Sequence, residues 1–566
     1  MKQISGSQMI CEALKEEKVS VVFGYPGGAA LNIYDEIYKQ KYFKHILVRH
    51  EQAAVHAADA YARMSGEVGV AVVTSGPGFT NTITGLATAY SDSIPLVLIS
   101  GQVANSLIGT DAFQEIDAVG ISRPCVKHNY LVTHIEELPR VLKEAFYLAR
   151  SGRKGPIHID IPKDVSAILG HFDYSKELVM KTYKPTFKGN AKQIKKLAGL
   201  LKEAKRPLFY LGGGCIASNA SESIRELVKL TQIPAVETLM ALGTLRSDDK
   251  LNLKMAGMHG SYVANMALSE CDLLVSVGAR FDDRITGKTS EFAKQAKIVH
   301  IDIDPSSISK IINAHFPVVG DVEQVVSELL NELKKEKFIP QSKEWLEILK
   351  RYDSIYPLVY EDSDEVLKPQ WVIKECAKLA PEARIITDVG QHQMWVAQFY
   401  PFNYPRQLAT SGGQGAMGYS LPAALGAKLA VKEEVVINFA GDGGILMNIQ
   451  ELMTAYEYGI KTINIILNNA FLGMVRQWQS MFYNENFSET DLSLQPDFIK
   501  IAEGFGCKGY NIHTKKEFTE SFKEALKSDK STLLNVVIDR FEDVLPMVPA
   551  GAAIYNMILP KLKDKK

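Results

Sequence analysis

Asp442 stands alone among glycines in "AGDGG", and 27 positions later the apolar run 463–467 ends in the pair Asn468–Asn469. A Gly-rich turn lets backbone N–H groups approach an anion. An aspartate in it adds one carboxylate, and an asparagine at the next run's end adds an amide oxygen. Completed by diphosphate oxygens and water, this set suits octahedral Mg²⁺. The two residues must meet for that chemistry. Residues 435–440 read as a strand, and Ile445, Ile449, Leu452, Met453 and Tyr456 recur at helical spacing. Gly459 is placed to cap that helix, and 463–467 reads as the next strand. A strand–helix–strand crossover sets the strands parallel, so Asp442 and Asn469 emerge at one sheet edge. "GDGG" taken alone also reads as a plain turn.

A second carboxylate, Glu51, ends an apolar run and enters an Ala-rich helix in "HILVRHEQAAVHAADAYAR". Small side chains permit close packing and exclude water, which raises a carboxyl pKa. The alternative is a helix N-terminal carboxylate favoured by the macrodipole. In the middle of the chain, "VHIDIDP" sets Asp302 and Asp304 at a strand end, suited to accept hydrogen bonds from a ribose or adenine. "LGGG" (211–214) also follows a strand, but no G-x-G-x-x-G is present. The pattern there is that of a nucleotide-sized pocket.

These residues need elements to position them. At 566 residues the chain exceeds one core and suggests roughly three to four domains. Three modules repeat one grammar of short apolar runs between helical stretches. The first holds "VVFGYPGG", "HILVRHE", "VGVAVVTSGPG", "IPLVLISG" and "GPIHIDIP". The second holds "PLFYLGGG", "IPAVETL", "DLLVSVGARF", "KIVHIDIDP" and "FPVVGD"; the third holds "RIITDVGQ", "RQLATSGG", "VVINFAGDGG", "INIILNN" and "TLLNVVID". Such runs lack polar alternation, as strands buried on both faces do. The fold class is therefore α/β, with three doubly wound parallel-sheet domains over 1–165, 187–330 and 366–545 and a C-terminal tail over 546–566 that folds over the site and ends in basic residues. The Lys-rich stretches 170–190 and 334–357 read as linkers.

Composition is ordinary for a globular chain: 46% apolar, 23% charged, net charge −1. No basic run invites nucleic acid, and no apolar stretch reaches the ~20 residues that span a bilayer. The N-terminus lacks a signal peptide's apolar core. Six scattered cysteines show no C-x-x-C spacing. A reduced, cytoplasmic protein is expected.

The "GDGG…NN" pattern resembles the motif of the thiamine diphosphate-dependent decarboxylases and carboligases. That resemblance implies thiamine diphosphate and Mg²⁺ as cofactors, with Asp442, Asn469 and the main-chain carbonyl of Phe471 as metal ligands. Gly443, Gly444, Leu472, Gly473 and Met474 would line the diphosphate. Ile445 departs from the aromatic that many relatives carry. "RHEQ" matches the family's activating glutamate, which makes Glu51 the partner of the aminopyrimidine ring. Tyr25 in "GYPGG", Pro77 in "SGPG" and Asn81 resemble the pyrimidine loop. Gln391 and His392 in "VGQHQ", with Gly415 and Met417 in "GGQGAMG", resemble the cofactor cradle, Met417 being its apolar wedge. For His392 a hydrogen-bonded strand-end histidine is the alternative. In relatives the glutamate and the diphosphate site come from different subunits, so a homodimer or homotetramer with shared active sites is implied.

Nearly the whole chain is similar to the catalytic subunits of the acetohydroxyacid synthase family, most specifically in "GTDAFQE", "GMHGSYVAN", "GARFDDRITG" and "GMVRQWQSMFY". The resemblance implies decarboxylation of pyruvate and transfer of the hydroxyethyl unit to a second 2-ketoacid, in valine, leucine and isoleucine biosynthesis. It also implies FAD without a redox task. Its contacts would be Arg153, Gly212, Gly213, Thr238 and Leu239, then Met258 and His259, then Gly278, Arg280, Asp302 and Asp321. Arg284 would fork onto the acceptor's carboxylate, or else form a surface ion pair with Asp282 or Asp283. Trp478 would shape the pocket for its alkyl group, or else be core. Gln114 and Lys163 would line the access channel, where Ala104 replaces a common proline. A separate regulatory small subunit is the usual partner in this family. Rival readings are a pyruvate oxidase-like thiamine/FAD enzyme, a glyoxylate carboligase, a Rossmann-type dehydrogenase and an inactive regulatory paralogue.

Overall fold

Uninterrupted runs of Val, Ile and Leu form the inner strands of three six-stranded sheets in a computed structural model that describes residues 2–560. The N-terminal sheet uses Val21–Gly24, Lys44–Leu47, Gly69–Val73, Leu96–Gln102, His128–Leu131 and Pro156–Pro162. Counted along the chain, its strands lie in the order 2-1-3-4-6-5, every pair parallel. The C-terminal sheet uses Arg384–Thr387, Leu408–Thr410, Val436–Gly441, Ile463–Asn468, Lys508–Ile512 and Thr532–Val537, and repeats that order. The middle sheet differs. Its strands Pro207–Leu211, Ala235–Glu237, Asn252–Met255, Leu273–Val277, Lys297–Asp302 and Phe316–Val319 lie in the order 3-2-1-4-5-6, the order of dinucleotide-binding sheets. A small antiparallel pair, Lys2–Ser5 with Leu169–Phe172, completes the strands.

Within the three large sheets, three strands are absent from the sequence expectations: His128–Leu131, Asn252–Met255 and Lys508–Ile512. Each lies at a sheet edge. The small pair Lys2–Ser5 and Leu169–Phe172 is absent from them too, so the expected linker at 170–190 begins inside a strand. An edge strand need not be apolar on both faces, so "HNYL" and "KGYNI" carry polar residues that hide them among loops.

The chain forms two compact units. One holds the N- and C-terminal sheets, from residues up to Lys184, Glu382–His392 and Ala409–Arg540. The other holds the middle sheet, from Pro185–Pro381, Gln393–Leu408 and the residues from Phe541 on. In the first unit, helix Glu51–Ser65 lies against helix Ser420–Ala430, and a Cβ on Gly426 would overlap the Ala57 carbonyl, so the two backbones touch. Ala53, Ala54, Ala57, Ala58 and Ala60 are fully buried on the first of these helices. The Ala-rich sequence is thus explained by close helix packing.

Two expectations need correction. The stretch 334–357 is not a plain linker: it contains helix Lys343–Ile355, whose Trp345 and Leu349 join the core of the second unit. Lysines on the exposed side masked an apolar stripe at helical spacing. The segment after "GDGG" is not one helix but a short helix Asp442–Ile445, a 3₁₀ turn Leu446–Asn448 and helix Glu451–Tyr458. Gly459 does cap it, with φ +62°. In the tail, Val548 and Ile554 pack into the second unit's core; residues 561–566, with the expected basic end, lie outside the described residues. Among the described residues no helix is long and apolar enough to cross a membrane, and all six cysteines are free thiols.

Candidate cofactor and active site

Parallel pairing sets Gly441 level with Leu467, so Asp442 comes level with Asn468 and Asn469 lies one residue beyond. The crossover thus brings both predicted ligands to one sheet edge. Asp442 is 2% exposed, and among the described residues none forms an ion pair with it. Its Oδ2 accepts from Gln495 Nε2 at 2.6 Å, and the N–H groups of Gly443 and Ala470 also reach the carboxylate. Burial pushes its pKa up to about 7, against these donors. A buried carboxylate with donors but no counter-charge fits a site for a cation. Among the described residues no cluster of three or more His, Cys, Asp or Glu forms a metal site. A cation here would rest on one carboxylate, amide and carbonyl oxygens, and the ligand's own oxygens, which suits Mg²⁺.

Asn469 Oδ1 accepts the Phe471 N–H at 3.2 Å across Ala470, whose φ is +54°, and keeps a second lone pair. Its Nδ2 donates to Gln391 Oε1 at 3.1 Å, and Gln391 donates to Gln477 at 2.8 Å. Phe471 is buried, with the Arg540 guanidinium 4.2 Å from its ring centre. Helix Gly473–Phe482 then starts without any side-chain cap, which leaves its first N–H groups, including that of Met474, for an anion. A Cβ on Gly473 would overlap Gln391 Oε1 and crowd Asn469 Nδ2, so any larger residue there would displace both amides. Trp478, in the same helix, is half-buried; its Nε1 is buried without a partner and its ring meets Phe482 edge-on.

The glycine turn and the "GGQGAMG" loop converge. A Cβ on Gly443 would lie 2.9 Å from Leu472 Cδ2 and 3.8 Å from Met417 Cε. Met417 is half-buried and Gly415, with φ +64°, is exposed. Asp388, which the sequence reading passed over, is fully buried and accepts the Gly418 N–H at 3.0 and 3.1 Å and the Ser420 hydroxyl at 3.2 Å. Burial pushes its pKa up to about 6. A Cβ on Gly444 would lie 2.9 Å from Asp388 Oδ2. Burial holds the His392 imidazole neutral, its pKa lowered to about 4; it is bonded to the Asp388 backbone and leaves Nε2 buried without a partner. That orphaned nitrogen is what a bound ligand would satisfy. Gln495 and Asn468 were also missed. Gln495 bridges Asp442 and Asn468, which donates back to it at 2.8 Å. Asp388 sits at a strand end and could have been found by that rule; Gln495, in a loop, carried no spacing signal.

Glu51 opens helix Glu51–Ser65, with His50 as its cap. Its Oε2 accepts from Asn81 Nδ2 at 2.9 Å, and its Oε1 lies 3.5 Å from a Cβ placed on Gly78, next to Pro77. The structure therefore gathers Glu51, Asn81 and the "SGPG" turn. Tyr25, 38% exposed, follows the first strand. The dry surroundings expected for Glu51 are not present within the chain: it is half-buried, because the first helical residue faces the strand ends while the alanines behind it take the core. Gln114, half-buried with φ +60°, lies against the same turn, its Cα 3.0 Å from a Cβ on Gly76. Lys163 is exposed at the start of helix Lys163–Ala167. Arg153 donates to Ser93 Oγ at 2.9 Å.

In the middle sheet, strands 1 and 4 are neighbours where the order reverses, and the glycines sit there. A Cβ on Gly212 would overlap the Gly278 carbonyl, one on Gly214 would meet Gly278 Cα at 2.8 Å, and Gly278 has φ +62°. Gly213 faces Met240. Asp302 ends the next strand, its Oδ1 accepting the Asp304 N–H at 2.8 Å. Thr238 Oγ1, beside Leu239 at the second strand's end, is buried without a partner. Side-chain-free strand ends with an orphaned hydroxyl fit a nucleotide. Asp321, by contrast, caps helix Val322–Lys335, and Arg280 is half-exposed beside Asp282. The Met258 N–H donates to the Arg284 carbonyl at 2.7 Å, and buried His259 bonds the Pro546 carbonyl, its pKa lowered to about 4 by burial. The Arg284 side chain, 60% exposed, pairs with Asp283 at 2.6 Å: the surface ion pair, not a converging fork, is what the chain forms.

Three descriptions of thiamine pyrophosphate enzymes match in order: the N-terminal TPP binding domain over residues 4–121, the central domain over 194–329 and the C-terminal TPP binding domain over 388–536. These define the class. The chain is also 46% identical to the acetolactate synthase large subunit of Buchnera aphidicola from Schizaphis graminum, over 99% of each chain. It is 45% identical to the acetolactate synthase isozyme 3 large subunit of Escherichia coli K12, over 99% of each. It is 46% identical to the probable acetolactate synthase large subunit of Methanocaldococcus jannaschii, over 98% of this chain and 95% of that one. The chain belongs to the acetolactate synthase large-subunit family of thiamine pyrophosphate enzymes. This favours carboligation over the oxidase alternative.

Proposed function

We propose that the chain decarboxylates pyruvate and joins the remaining two-carbon unit to pyruvate or 2-ketobutyrate, giving 2-acetolactate or 2-aceto-2-hydroxybutyrate for branched-chain amino acid biosynthesis in the cytoplasm. The observation that carries this reading is an uncompensated buried carboxylate, Asp442, set beside Asn469 in a chain similar over its whole length to acetolactate synthases. Bound thiamine diphosphate supplies the nucleophilic carbon and the electron sink for loss of CO₂. The chain's residues hold and orient it. Asp442, Asn469 and the Phe471 carbonyl would bind Mg²⁺. Gly443, Gly444, Leu472 and the N-terminus of helix Gly473–Phe482 would line the diphosphate, with Gln391, His392, Gly415 and Met417 completing the cofactor cradle and Met417 as its apolar wedge. Glu51 would hold and move a proton at an aminopyrimidine nitrogen, with Tyr25, Pro77 and Asn81 about that ring.

The half-buried state of Glu51 in the single chain supports a site completed by a second copy, hence a homodimer or homotetramer. FAD would bind at the glycine-lined switch point of the middle domain, with Arg153, Met258, His259, Arg280, Asp302 and Asp321 contributing. On this reading 1–165 serves the pyrimidine, 187–330 FAD and 366–545 the diphosphate. Arg284 would leave Asp283 to bind the acceptor's carboxylate, and Trp478, whose indole N–H lacks a partner, would shape its alkyl pocket. Gln114 and Lys163 would line the approach. A regulatory small subunit is the expected partner.

The test is product formation from pyruvate by the purified chain, with and without thiamine diphosphate, Mg²⁺ and FAD, beside Glu51→Gln. Acetolactate that requires thiamine diphosphate and Mg²⁺ and collapses in the variant supports the reading. Pyruvate consumed with reduction of an external acceptor and no acetolactate overturns it.

A further inference from the structure

We propose that Asp92 is a positioning residue for the cradle loop 411–418: fixed by Arg63, its carboxylate holds the loop backbone in ligand-ready form before any cofactor arrives. The inference rests on the reading of Gly415 and Met417 as cradle residues. Asp92 follows helix Ile83–Ser91, far along the chain from the loop. Its side chain is 1% exposed and makes three contacts. Oδ2 accepts the Gly412 N–H at 3.0 Å, Oδ1 accepts the Gly413 N–H at 2.8 Å, and the Arg63 guanidinium lies 2.8 Å from Oδ2. Arg63 also grips Asp59, at 2.6 and 3.3 Å. Asp59 in turn accepts the Tyr419 hydroxyl at 2.7 Å. One buried triad thus brackets the loop at both ends, through glycine N–H groups at its start and Tyr419 at its close.

The loop needs such a hold. Residues 412–415 are exposed and three of the four are glycine, so they have almost no side chains with which to pack. Gln414 contributes one bond, to Ser91 Oγ at 2.8 Å. Contact is close as well as polar: a Cβ on Gly413 would lie 2.7 Å from Ser91 Cβ and 2.9 Å from Asp92 Oδ1. A buried set of two carboxylates and one guanidinium is a poor choice for stability alone, since apolar residues of similar size serve as well. What charge adds is direction, and here the free carboxylate edge points at the loop's backbone. Asp59 and Arg63 belong to helix Glu51–Ser65, so the helix that opens with Glu51 also steadies the loop that carries Met417.

Asp92→Asn in the full chain tests this, because Asn keeps the shape but can accept at only one edge. Amide hydrogen exchange is followed in the cofactor-free protein. The proposal expects exchange across 411–418 to rise about tenfold, the effect of losing one charge-assisted bond, with the strands unchanged. It also expects the half-saturating thiamine diphosphate concentration, at fixed Mg²⁺, to rise about tenfold, with kcat at saturation within about twofold. Gly413→Ala, which keeps Asp92, Arg63 and Asp59 and presses a Cβ against Ser91 and the Asp92 carboxylate, should show the same split. Unchanged loop exchange in both variants overturns the proposal. So does exchange that rises throughout the unit with kcat falling at saturation, which marks a merely structural role. If wild type shows no saturable response to thiamine diphosphate, the cradle reading fails, and the exchange arm alone decides whether Asp92 holds the loop.

Discussion

The C-terminal and middle sheets are both six-stranded and doubly wound, yet their strand ends differ in kind. At the C-terminal sheet the ends are crowded with buried polar groups: Asp388, Asp442, Asn468, Asn469 and a histidine with an orphaned nitrogen. At the middle sheet the ends of strands 1 and 4 are bare backbone, Gly212 to Gly214 against Gly278, and Asp302 is satisfied by its own loop. The first edge is electrostatically incomplete and calls for a cation and an anion together. The second is bare glycine backbone in close contact, with its carboxylate satisfied locally, which suits the nucleotide proposed to bind there. On the proposed reading one backbone plan would carry reaction chemistry or plain binding, according to the few residues placed just past the strands.

Breaking the charged edge should have the largest effect. Asp442→Asn keeps the shape of the turn and removes the buried carboxylate beside Asn469. Activity at saturating thiamine diphosphate should fall by more than about 100-fold, beyond the 10–100-fold ascribed to groups behind a metal ligand. Steady-state assay over a Mg²⁺ series checks it; near-normal activity would remove Asp442 from the metal site. Gln495→Ala comes next. Its amide lies 2.6 Å from Asp442 Oδ2 and orients that carboxylate. Apparent Mg²⁺ affinity should weaken about 10–100-fold with the fold intact. Calorimetric titration that gave wild-type affinity would show the contact to be incidental.

The reading of the sequence caught what periodicity and strand ends encode. Asp442, Asn469 and the glycine turns were visible because each follows an apolar run, and parallel pairing makes that position meaningful. Gln495 was invisible because a loop residue reaches its partner by tertiary folding alone. The helix Lys343–Ile355 reads as a linker because its charged residues outnumber the buried Trp345 and Leu349. Within the large sheets the strands overlooked were edges, where the apolar signal is diluted by exposure. For Arg284 the sequence offers two kinds of partner, an acceptor's carboxylate or Asp282 and Asp283; Asp283 takes it in the chain by itself, a competition that spacing does not rank.

At the quiet edge the effects should be smaller and of another sort. Gly212→Ala puts a Cβ onto the Gly278 carbonyl, and backbone on both sides cannot give way cheaply. A loss of about 1–3 kcal/mol is expected, together with weaker FAD retention. Activity of the surviving folded enzyme, with FAD added back, should stay within a few-fold. Scanning calorimetry and flavin absorbance after gel filtration measure both. If activity fell as steeply as in Asp442→Asn, the division between a reacting edge and a binding edge would collapse.

The smallest effect concerns a carboxylate with no part in the chemistry. Glu237 ends the second strand of the middle sheet and is fully buried, its oxygens accepting the Leu245 N–H and Asn252 Nδ2 at 3.0 Å each. Burial outweighs these bonds and pushes its pKa from 4.5 up to about 7. The folded chain therefore holds a proton that the unfolded chain has released between those values. Stability from this group is full below about pH 4.5 and is lost as pH rises through about 7, amounting to at most about 3 kcal/mol. Glu237→Gln cannot titrate, so its melting temperature should fall less between pH 5 and 8 than that of wild type, with catalysis unchanged. Asn252 Oδ1 is already bonded to the Lys254 N–H at 2.8 Å, so its amide cannot flip freely to suit the new side chain, and the variant's absolute stability is offset downward. The slope is the readout: parallel curves for the two proteins would mean that Glu237 stays ionised in the fold, and that the middle domain's interior tolerates charge as readily as the C-terminal edge does.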